Sequence, residues 1–180
     1  MRSLLLAFIG ILILTTSIGC ETDVPDTDTT PPSFSLRITG DGFDRTFTQD
    51  DDLNNLQINL RAGVSYDFLL GGIDQGGVRQ IQFQHIPVFT PISSPIPAHW
   101  TVTNTGLTAN IRCNGDINNA LTAQLLAGSF TATLTNEDLA QESFYIRVED
   151  FGGESGPPFN ITEGVINVLI GNHPTEVLNL

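Results

Sequence analysis

The sequence contains no lysine, and its basic side chains are seven arginines set against 20 aspartates and glutamates. The formal net charge of the 180-residue chain is therefore −13 at pH 7. A protein with this charge balance repels nucleic acid and anionic membrane surfaces. The composition thus argues against a nucleic-acid partner, and it favours cations or basic proteins instead.

Catalytic signatures are also missing. The sequence has no G-x-S-x-G elbow, no H-E-x-x-H pair, no phosphate-binding P-loop and no C-x-x-C motif. Its three histidines, His85, His99 and His173, do not show the spacing of metal ligands. These absences favour a protein that is not an enzyme. The alternative is an unrecognised hydrolase whose catalytic groups meet only in the folded chain.

Long hydrophobic runs are absent beyond the N-terminus. The longest run, residues 4–14, has eleven apolar residues and follows Arg2. This length fits the core of a signal peptide, about 7 to 15 residues, and falls short of the roughly 20 that cross a bilayer. The sequence therefore predicts a secreted or anchored protein and not a transmembrane one.

Residues 17–20 (SIGC) follow this run and resemble the lipobox of bacterial lipoproteins. The motif departs from the family at Ser17, where Leu is commonest. The resemblance implies that residues 1–19 are a signal peptide and that Cys20 is the lipid-modified first residue of the mature protein. The alternative is a plain secretory signal in which Cys20 is incidental.

A lipid on Cys20 predicts a location for the protein. The two or three acyl chains that are typical of the family form a stable membrane anchor, whereas one chain does not. Glu21 stands where an Asp would retain the protein at the inner membrane under the enterobacterial sorting rule. We therefore expect a lipid-anchored protein of the bacterial outer membrane, facing either the periplasm or the cell surface.

The segment after the anchor, residues 20–32, is acidic and rich in threonine and proline, with Val24 as its single aliphatic residue. Such a composition cannot offset the entropy of ordering, which predicts an extended, self-repelling tether with a reach of roughly 40 Å. Without residues 1–19 the chain keeps 161 of its 180 residues, all 20 acids and six of the seven arginines, so its formal charge becomes −14.

Cysteine is scarce, since Cys20 and Cys113 are the two that the chain contains. If the sulfur of Cys20 carries lipid, Cys113 has no partner within the chain, and the fold receives no disulfide. Cys113 falls on the apolar face of an alternating segment, residues 107–113. This pattern predicts a buried, inert thiol, with a nucleophile or metal ligand as the alternative.

From Ser33 onward, apolar and polar residues alternate with a period of two, which is typical of half-buried strands. Clusters of Gly, Asp and Asn separate these segments and indicate turns. We expect a single all-β domain over residues 33–180, an immunoglobulin-like β-sandwich of about eight or nine strands. Residues 118–126 predict one short helical connection, and the proline-rich run from His85 to Trp100 predicts an edge or a surface excursion.

Three short motifs give this pattern a family likeness. They are residues 28–32 (DTTPP), residues 74–78 (DQGGV) and residues 144–153 (FYIRVEDFGG). Together they resemble the linker and the two D-x-G-G turns of bacterial immunoglobulin-like and cadherin-like surface modules. The long stretch at residues 86–126 departs from that pattern. The acidic segment after Cys20 also resembles that of Bacteroidota surface lipoproteins, in which residues 28–30 would match an O-glycosylation pattern at Thr29.

The resemblance implies that Asp28, Asp74 and Asp150 converge at one pole of the sandwich. Three carboxylates meeting there suit calcium, a hard cation that takes six to eight oxygen ligands. The alternative is that each aspartate simply caps its own turn through a backbone hydrogen bond. A triple acid at residues 50–52 is expected to be a solvated loop.

Two aromatic residues in the proline-rich run, Phe89 and Trp100, are candidate ligand-binding residues. Flat aromatic rings on an extended surface segment can stack on sugars or anchor a protein partner. The alternative places Trp100 in the core beside Val102. The leading functional prediction is a lipid-anchored, non-enzymatic interaction or spacer module with a protein or glycan partner. A carbohydrate-binding or adhesion lipoprotein that uses the proline-rich run is the second.

Overall fold

The computed structural model describes residues 21–87, 89–91, 95–105, 108–134 and 139–180. The predicted signal peptide and Cys20 lie outside these residues. No helix within the described ranges is long and apolar enough to cross a membrane. The strands of these ranges are β1 (Ser33–Gly40), β2 (Phe43–Thr48), β3 (Leu56–Arg61), β4 (Ser65–Ile73), β5 (Val78–Pro87), β6 (Phe89–Pro91), β7 (Trp100–Asn104), β8 (Thr108–Asn114), β9 (Ala123–Thr131), β10 (Leu139–Asp150), β11 (Ile161–Gly171) and β12 (Glu176–Asn179).

The strands form two sheets that pack face to face. One sheet has the order β2-β1-β4-β9-β6, and the other has the order β12-β3-β11-β10-β5-β8-β7. Strands β1, β4 and β9 thus take the places of A, B and E in an immunoglobulin domain, and β5, β10 and β11 those of C, F and G. Strand β3 pairs with β11 in parallel, and the neighbouring pairs in both sheets are antiparallel. The predicted all-β sandwich is confirmed.

The structure adds two strands, β2 and β12, that the sequence pattern does not indicate, and each lies at the edge of a sheet. Strand β6 is an edge strand within the proline-rich run, where an edge was expected, but the run begins inside β5, which extends to Pro87. The predicted helical connection is a single 3₁₀ turn at Ile117–Asn119, and residues 123–126 belong to β9 instead. In that strand Gln124 and Leu126 are buried and Leu125 is exposed, because pairing with β4 imposes the alternation of a sheet on residues that favour a helix.

Aromatic side chains join the two sheets through the middle of the core. Phe68 of β4 packs edge-on against Phe83 of β5, with ring centroids 4.9 Å apart. Phe83 in turn contacts Phe144 of β10 at 5.3 Å, and Phe144 contacts Phe130 of β9 at 5.4 Å. Such edge-to-face pairs stabilise a core by more than their buried area alone.

Cys113 of β8 is fully buried in this core, as the alternation predicts. Its Sγ lies 3.5 Å from Oε1 of Gln124 and donates a weak hydrogen bond to it. Burial raises the pKa of the thiol to about 11. The thiol is therefore protonated at neutral pH and unreactive.

The acidic stretch after Cys20 is docked on the domain, which differs from the expected free tether. We call residues 21–32 the anchor segment. Glu21 forms an antiparallel β-bridge with Leu121. The backbone N–H of Thr22 donates to the carbonyl of Ala120 at 2.8 Å, and that of Glu154 donates to the carbonyl of Pro25 at 2.9 Å. The segment is extended, but loops of the domain satisfy its backbone.

Val24, the single aliphatic residue of the anchor segment, explains part of this docking. Its side chain is buried in a small cluster with Ala120 and Phe151. Composition alone underestimates how strongly such a segment binds to its own domain. One side chain that fits a preformed apolar site stabilises the docked segment in addition to the hydrogen bonds that the loops provide.

Two glycines allow the anchor segment to lie close to the domain. A Cβ on Gly153, whose φ is +116°, would lie 2.6 Å from the carbonyl oxygen of Asp26. A Cβ on Gly76 would collide with Oδ2 of Asp28. Glycine is the residue that permits so close an approach of two chain segments. The D-x-G-G turns thus serve as docking surfaces for the anchor segment.

Candidate metal centre

Asp28, Asp74 and Asp150 come together at one pole of the sandwich, which we call the aspartate pole. Asp28 lies in the anchor segment, Asp74 directly follows β4, and Asp150 is the last residue of β10. One carboxylate oxygen from each lies within 4.8 Å of those of the other two. Three chain segments that are distant in sequence therefore contribute one carboxylate each to a single site.

Each of the three aspartates also caps its own turn. The backbone N–H of Thr30 donates to Oδ1 of Asp28, and that of Gly76 donates to Oδ2 of Asp74, both at 2.8 Å. The N–H of Gly152 donates to Oδ1 of Asp150, also at 2.8 Å. Turn capping accounts for each aspartate separately, but it gives no reason for three carboxylates to meet.

Asn160 holds two members of the site in place. Its side-chain N–H group donates to Oδ2 of Asp150 at 2.7 Å and to the backbone carbonyl of Asp28 at 3.0 Å. Its backbone N–H donates to Oδ1 of Asp150 at 2.8 Å. The sequence pattern does not identify Asn160, because it lies ten residues beyond Asp150 and outside any D-x-G-G motif.

The electrostatics of the site are unfavourable without a cation. Asp150 is fully buried and Asp74 is 6% exposed, while Asp28 is half-buried. Within the described part of the chain, none of the salt bridges involves these three carboxylates. Burial and the negative charges of Asp28 and Asp150 raise the pKa of Asp74 to about 6, against the hydrogen bond from Gly76 that lowers it.

The site is open to solvent along one side. A groove of about 620 Å³ runs beside the anchor segment, and Asp28, Asp74 and Gly76 are among the residues that line it. An ion therefore has a path to the carboxylates. Oxygens that bind one calcium ion at about 2.4 Å lie at most about 4.8 Å apart, so the observed separation is compatible with a shared cation.

No known family model and no curated protein matches this sequence. The function is therefore inferred from the fold and from the geometry of the site. The resemblance to bacterial lipoproteins and to immunoglobulin-like surface modules stays a prediction.

The other predicted site residues lie elsewhere. Phe89 is in β6, at the edge of the five-stranded sheet, and its side chain lies outside the described part of the structure. Trp100 begins β7, at the edge of the seven-stranded sheet, where it is half-buried and packs against the core. The structure thus places the two residues on different sheets. Binding of a ligand by either one stays a prediction.

The remaining predicted residues belong to surface turns. Thr29 is exposed next to Asp28, and its O-glycosylation stays a prediction. In the triple acid, Oδ2 of Asp51 accepts a hydrogen bond from the backbone N–H of Thr48 at 2.8 Å, and Oδ2 of Asp52 accepts one from Nδ2 of Asn55 at 2.7 Å. Asp51 therefore bonds the backbone of its own turn, whereas Asp52 is exposed and bonds only a neighbouring side chain. Both belong to a surface loop, as expected.

Proposed function

We propose that the protein is a lipid-anchored, non-enzymatic β-sandwich module of the bacterial outer membrane that acts as a spacer or interaction domain. In this proposal a calcium ion at the aspartate pole fastens the anchor segment to the domain. The observation that carries it is the convergence of Asp28, Asp74 and Asp150 within 4.8 Å of one another. One ligand comes from the anchor segment and two from the domain, so the ion would join the two parts.

The chemistry of the ligands favours calcium over other metals. All three side chains offer hard carboxylate oxygens, which suit calcium or magnesium better than zinc or copper. Magnesium requires near-ideal octahedral geometry at about 2.1 Å, whereas calcium accepts irregular sets of six to eight oxygens. Loops that already hold their carboxylates by turn hydrogen bonds supply an irregular set, and water in the adjoining groove would complete it.

Binding would couple the ion to the position of the anchor segment. Asp28 is held by the backbone of the domain, since its N–H donates to the carbonyl of Gly152 at 3.1 Å. When the anchor segment detaches, its carboxylate leaves the site and the affinity for the ion falls. Calcium would therefore favour the docked state, because a ligand stabilises the conformation that binds it more tightly.

The first experiment is a calcium titration of the mature protein in mild detergent after treatment with EDTA. We expect millimolar calcium to raise the melting temperature by about 5 to 10 °C. This corresponds to about 2.7 kcal/mol at a calcium concentration 100 times the dissociation constant, for a domain of this size. Magnesium at the same concentration should have a smaller effect.

Matched substitutions make this experiment specific. Asp74→Asn should abolish the calcium response, and Asp67→Asn, at an exposed position on the adjoining strand β4, should leave it intact. A melting temperature that does not change with calcium would contradict the metal proposal. An equal loss of the response in both variants would assign it to nonspecific screening of charge.

A further inference from the structure

The outer face of the seven-stranded sheet carries a dense set of amide and guanidinium groups. Over residues 80–84 of β5 and 110–114 of β8, the residues that alternate with buried core residues point away from the core. Each of these outward residues is a glutamine, an asparagine or an arginine. They are Gln80, Gln82, Gln84, Asn110, Arg112 and Asn114, and we call this set the amide face.

Strand pairing arranges these side chains in rows. Gln80 lies opposite Asn114, and Gln82 lies between Arg112 of β8 and Arg147 of β10. Nε2 of Gln80 donates to Oδ1 of Asn114 at 2.7 Å. The side-chain oxygen of Gln82 accepts hydrogen bonds from Nε and Nη2 of Arg112. The polar groups are therefore held in place before a ligand arrives, which lowers the entropic cost of binding.

Arg112 carries a positive charge that no acid in its surroundings balances. Of the six arginines in the described ranges, five form salt bridges with Asp or Glu, and Arg112 forms none. Its side chain is exposed. Arg147, two strands away, is already paired with Glu149 and Glu163. Arg112 therefore offers one defined position for an anionic group of a ligand.

A groove adjoins the amide face at Gln80 and Asn114. Its volume is about 470 Å³, and Ile117 and Phe159 also line it. Ile117 is 45% exposed. The guanidinium of Arg79 lies 4.1 Å from the centroid of the Phe159 ring and fixes its position. The groove thus combines apolar side chains with two amides, and its size falls within the range of small-molecule sites.

We infer that the amide face and its groove bind a saccharide that carries a carboxylate, such as a uronic or sialic acid unit. The carboxylate accepts hydrogen bonds from the guanidinium of Arg112. The amides of Gln80 and Asn114 bind hydroxyl groups, and the C–H surface of a sugar ring packs against Ile117 and Phe159. The inference rests on the proposed role as an interaction domain, but neither the calcium site nor the lipid anchor enters it.

The chemistry of the face favours a saccharide over other anions. Amides both donate and accept hydrogen bonds, as hydroxyl groups require, whereas phosphate oxygens only accept. One unbalanced guanidinium beside Glu149 and Glu163 gives a densely charged polymer such as nucleic acid little attraction. A sparsely charged saccharide avoids the acids elsewhere on the protein, because charges more than about 8 Å away are largely screened at physiological salt.

The spacing of the groups fits more than one sugar unit. Arg112 and Asn114 are two residues apart on β8, which separates them by about 7 Å along the strand. One unit in the groove and its neighbour beside Arg112 can therefore belong to the same saccharide. We expect an oligosaccharide to bind more tightly than its acidic monosaccharide alone.

A glycan array tests the class of ligand. The mature protein in mild detergent is applied to oligosaccharides that contain uronate or sialate, placed beside the same oligosaccharides with their carboxyl groups reduced to hydroxymethyl groups. We expect binding to at least one acidic oligosaccharide and at least tenfold weaker binding to its reduced form. Binding to none of the glycans, or equal binding to the acidic and the reduced forms, would overturn the inference.

Matched substitutions test the place of the site. Arg112→Gln should weaken binding of the acidic oligosaccharide at least tenfold, as expected for the loss of a charged hydrogen bond. Asn114→Ala is a second variant and should weaken binding in the groove. The control is Arg37→Gln, which changes an exposed arginine on the outer face of the five-stranded sheet and should bind as the unmodified protein does. Equal binding by Arg112→Gln and Arg37→Gln would show that the amide face is not the site.

A calcium titration of the same samples separates this inference from the proposed calcium site. Absent glycan binding together with an intact calcium response would overturn the inference alone. Glycan binding that depends on Arg112 in a protein without a calcium response would support the inference and contradict the calcium site.

Discussion

Two consecutive buried acids at the end of β10 have opposite surroundings. Glu149 is 4% exposed, and its carboxylate accepts hydrogen bonds from the guanidinium groups of Arg79 and Arg147. Asp150 is fully buried, and its neighbours are the carboxylates of Asp28 and Asp74. Side chains of successive residues point to opposite sides of a strand, so one carboxylate faces the arginines and the other faces the aspartate pole.

The difference shows how the chain distributes its few basic residues. Arg147 also pairs with Glu163, so the charges around Glu149 balance one another on the outer face of the seven-stranded sheet. Buried charges are stable only when they are paired or coordinate a metal. At the aspartate pole the described residues form no such pair, and a cation from solution would provide the missing charge. The contrast between Glu149 and Asp150 leads to three predictions.

The largest effect is expected for Asp150→Ala. This change removes the acceptor of three hydrogen bonds, which come from the backbone N–H of Gly152 and from the backbone N–H and side-chain Nδ2 of Asn160. Nδ2 keeps its bond to the carbonyl of Asp28, and the two backbone N–H groups lose their acceptor. Together with the lost calcium contribution, we expect the free energy of unfolding in saturating calcium to fall by about 5 kcal/mol. Urea unfolding in EDTA measures the loss that is due to the hydrogen bonds, and the difference between unfolding with and without EDTA measures the calcium contribution.

The control for Asp150→Ala is Asp116→Ala, which removes an exposed acid that caps the 3₁₀ turn at Ile117–Asn119. This variant should keep the calcium response and lose little stability. If Asp150→Ala responds to calcium as the unmodified protein does, Asp150 is not a ligand.

A second effect is expected from pH in the metal-free protein. The folded state raises the pKa of Asp74 to about 6, above its usual 3.8, so it binds the proton more tightly than the unfolded chain does. The resulting stabilisation is present below pH 4 and is lost as the pH rises through 6. It amounts to at most about 3 kcal/mol.

Unfolding by urea in EDTA between pH 4 and pH 7 measures this loss. In Asp74→Asn the corresponding fall in stability should disappear, since no proton is bound or released at that position. A stability that rises over the same range in both proteins would mean that the carboxylates of the aspartate pole do not repel one another.

The smallest effect is expected for Glu149→Gln. The amide keeps the shape of the side chain and one acceptor oxygen, Arg147 keeps Glu163, and Arg79 can turn to solvent. We expect a loss of about 1.5 kcal/mol, as for one charged hydrogen bond, with the calcium response unchanged. A calcium response that disappears in this variant would remove the distinction between the two acids.

The alternation of the sequence predicted much of the fold. Strands such as β1, β4 and β10 follow a period of two, because one face of each is buried against the other sheet. Residues 123–126 were wrongly assigned to a helix, because Ala, Leu and Gln favour helices in isolation, and pairing with β4 overrides that preference. The edge strands β2 and β12, which were missed, have one neighbour each, so burial imposes a weaker alternation of apolar and polar residues on them.

The candidate site was predicted only in part. Asp28, Asp74 and Asp150 were identified through the resemblance of their motifs to known modules, since no local pattern links residues that lie so far apart. Asn160 and the docking of the anchor segment were missed. Both depend on contacts between distant loops. The sequence did not predict the burial of Val24, because a single aliphatic residue in an acidic stretch is expected to be exposed to solvent.

The sequence by itself determined the charge, the number of cysteines, the alternation of the strands and the turns that end them, because these depend on composition and on neighbouring residues. The tertiary structure decided which acids meet arginine and which meet other acids. It also decided that the anchor segment lies on the domain. The contacts of Glu149 with Arg79, of the three aspartates with one another and of Glu21 with Leu121 each join residues that the sequence separates by more than 40 positions. Only the pairing and packing of the strands bring such residues together.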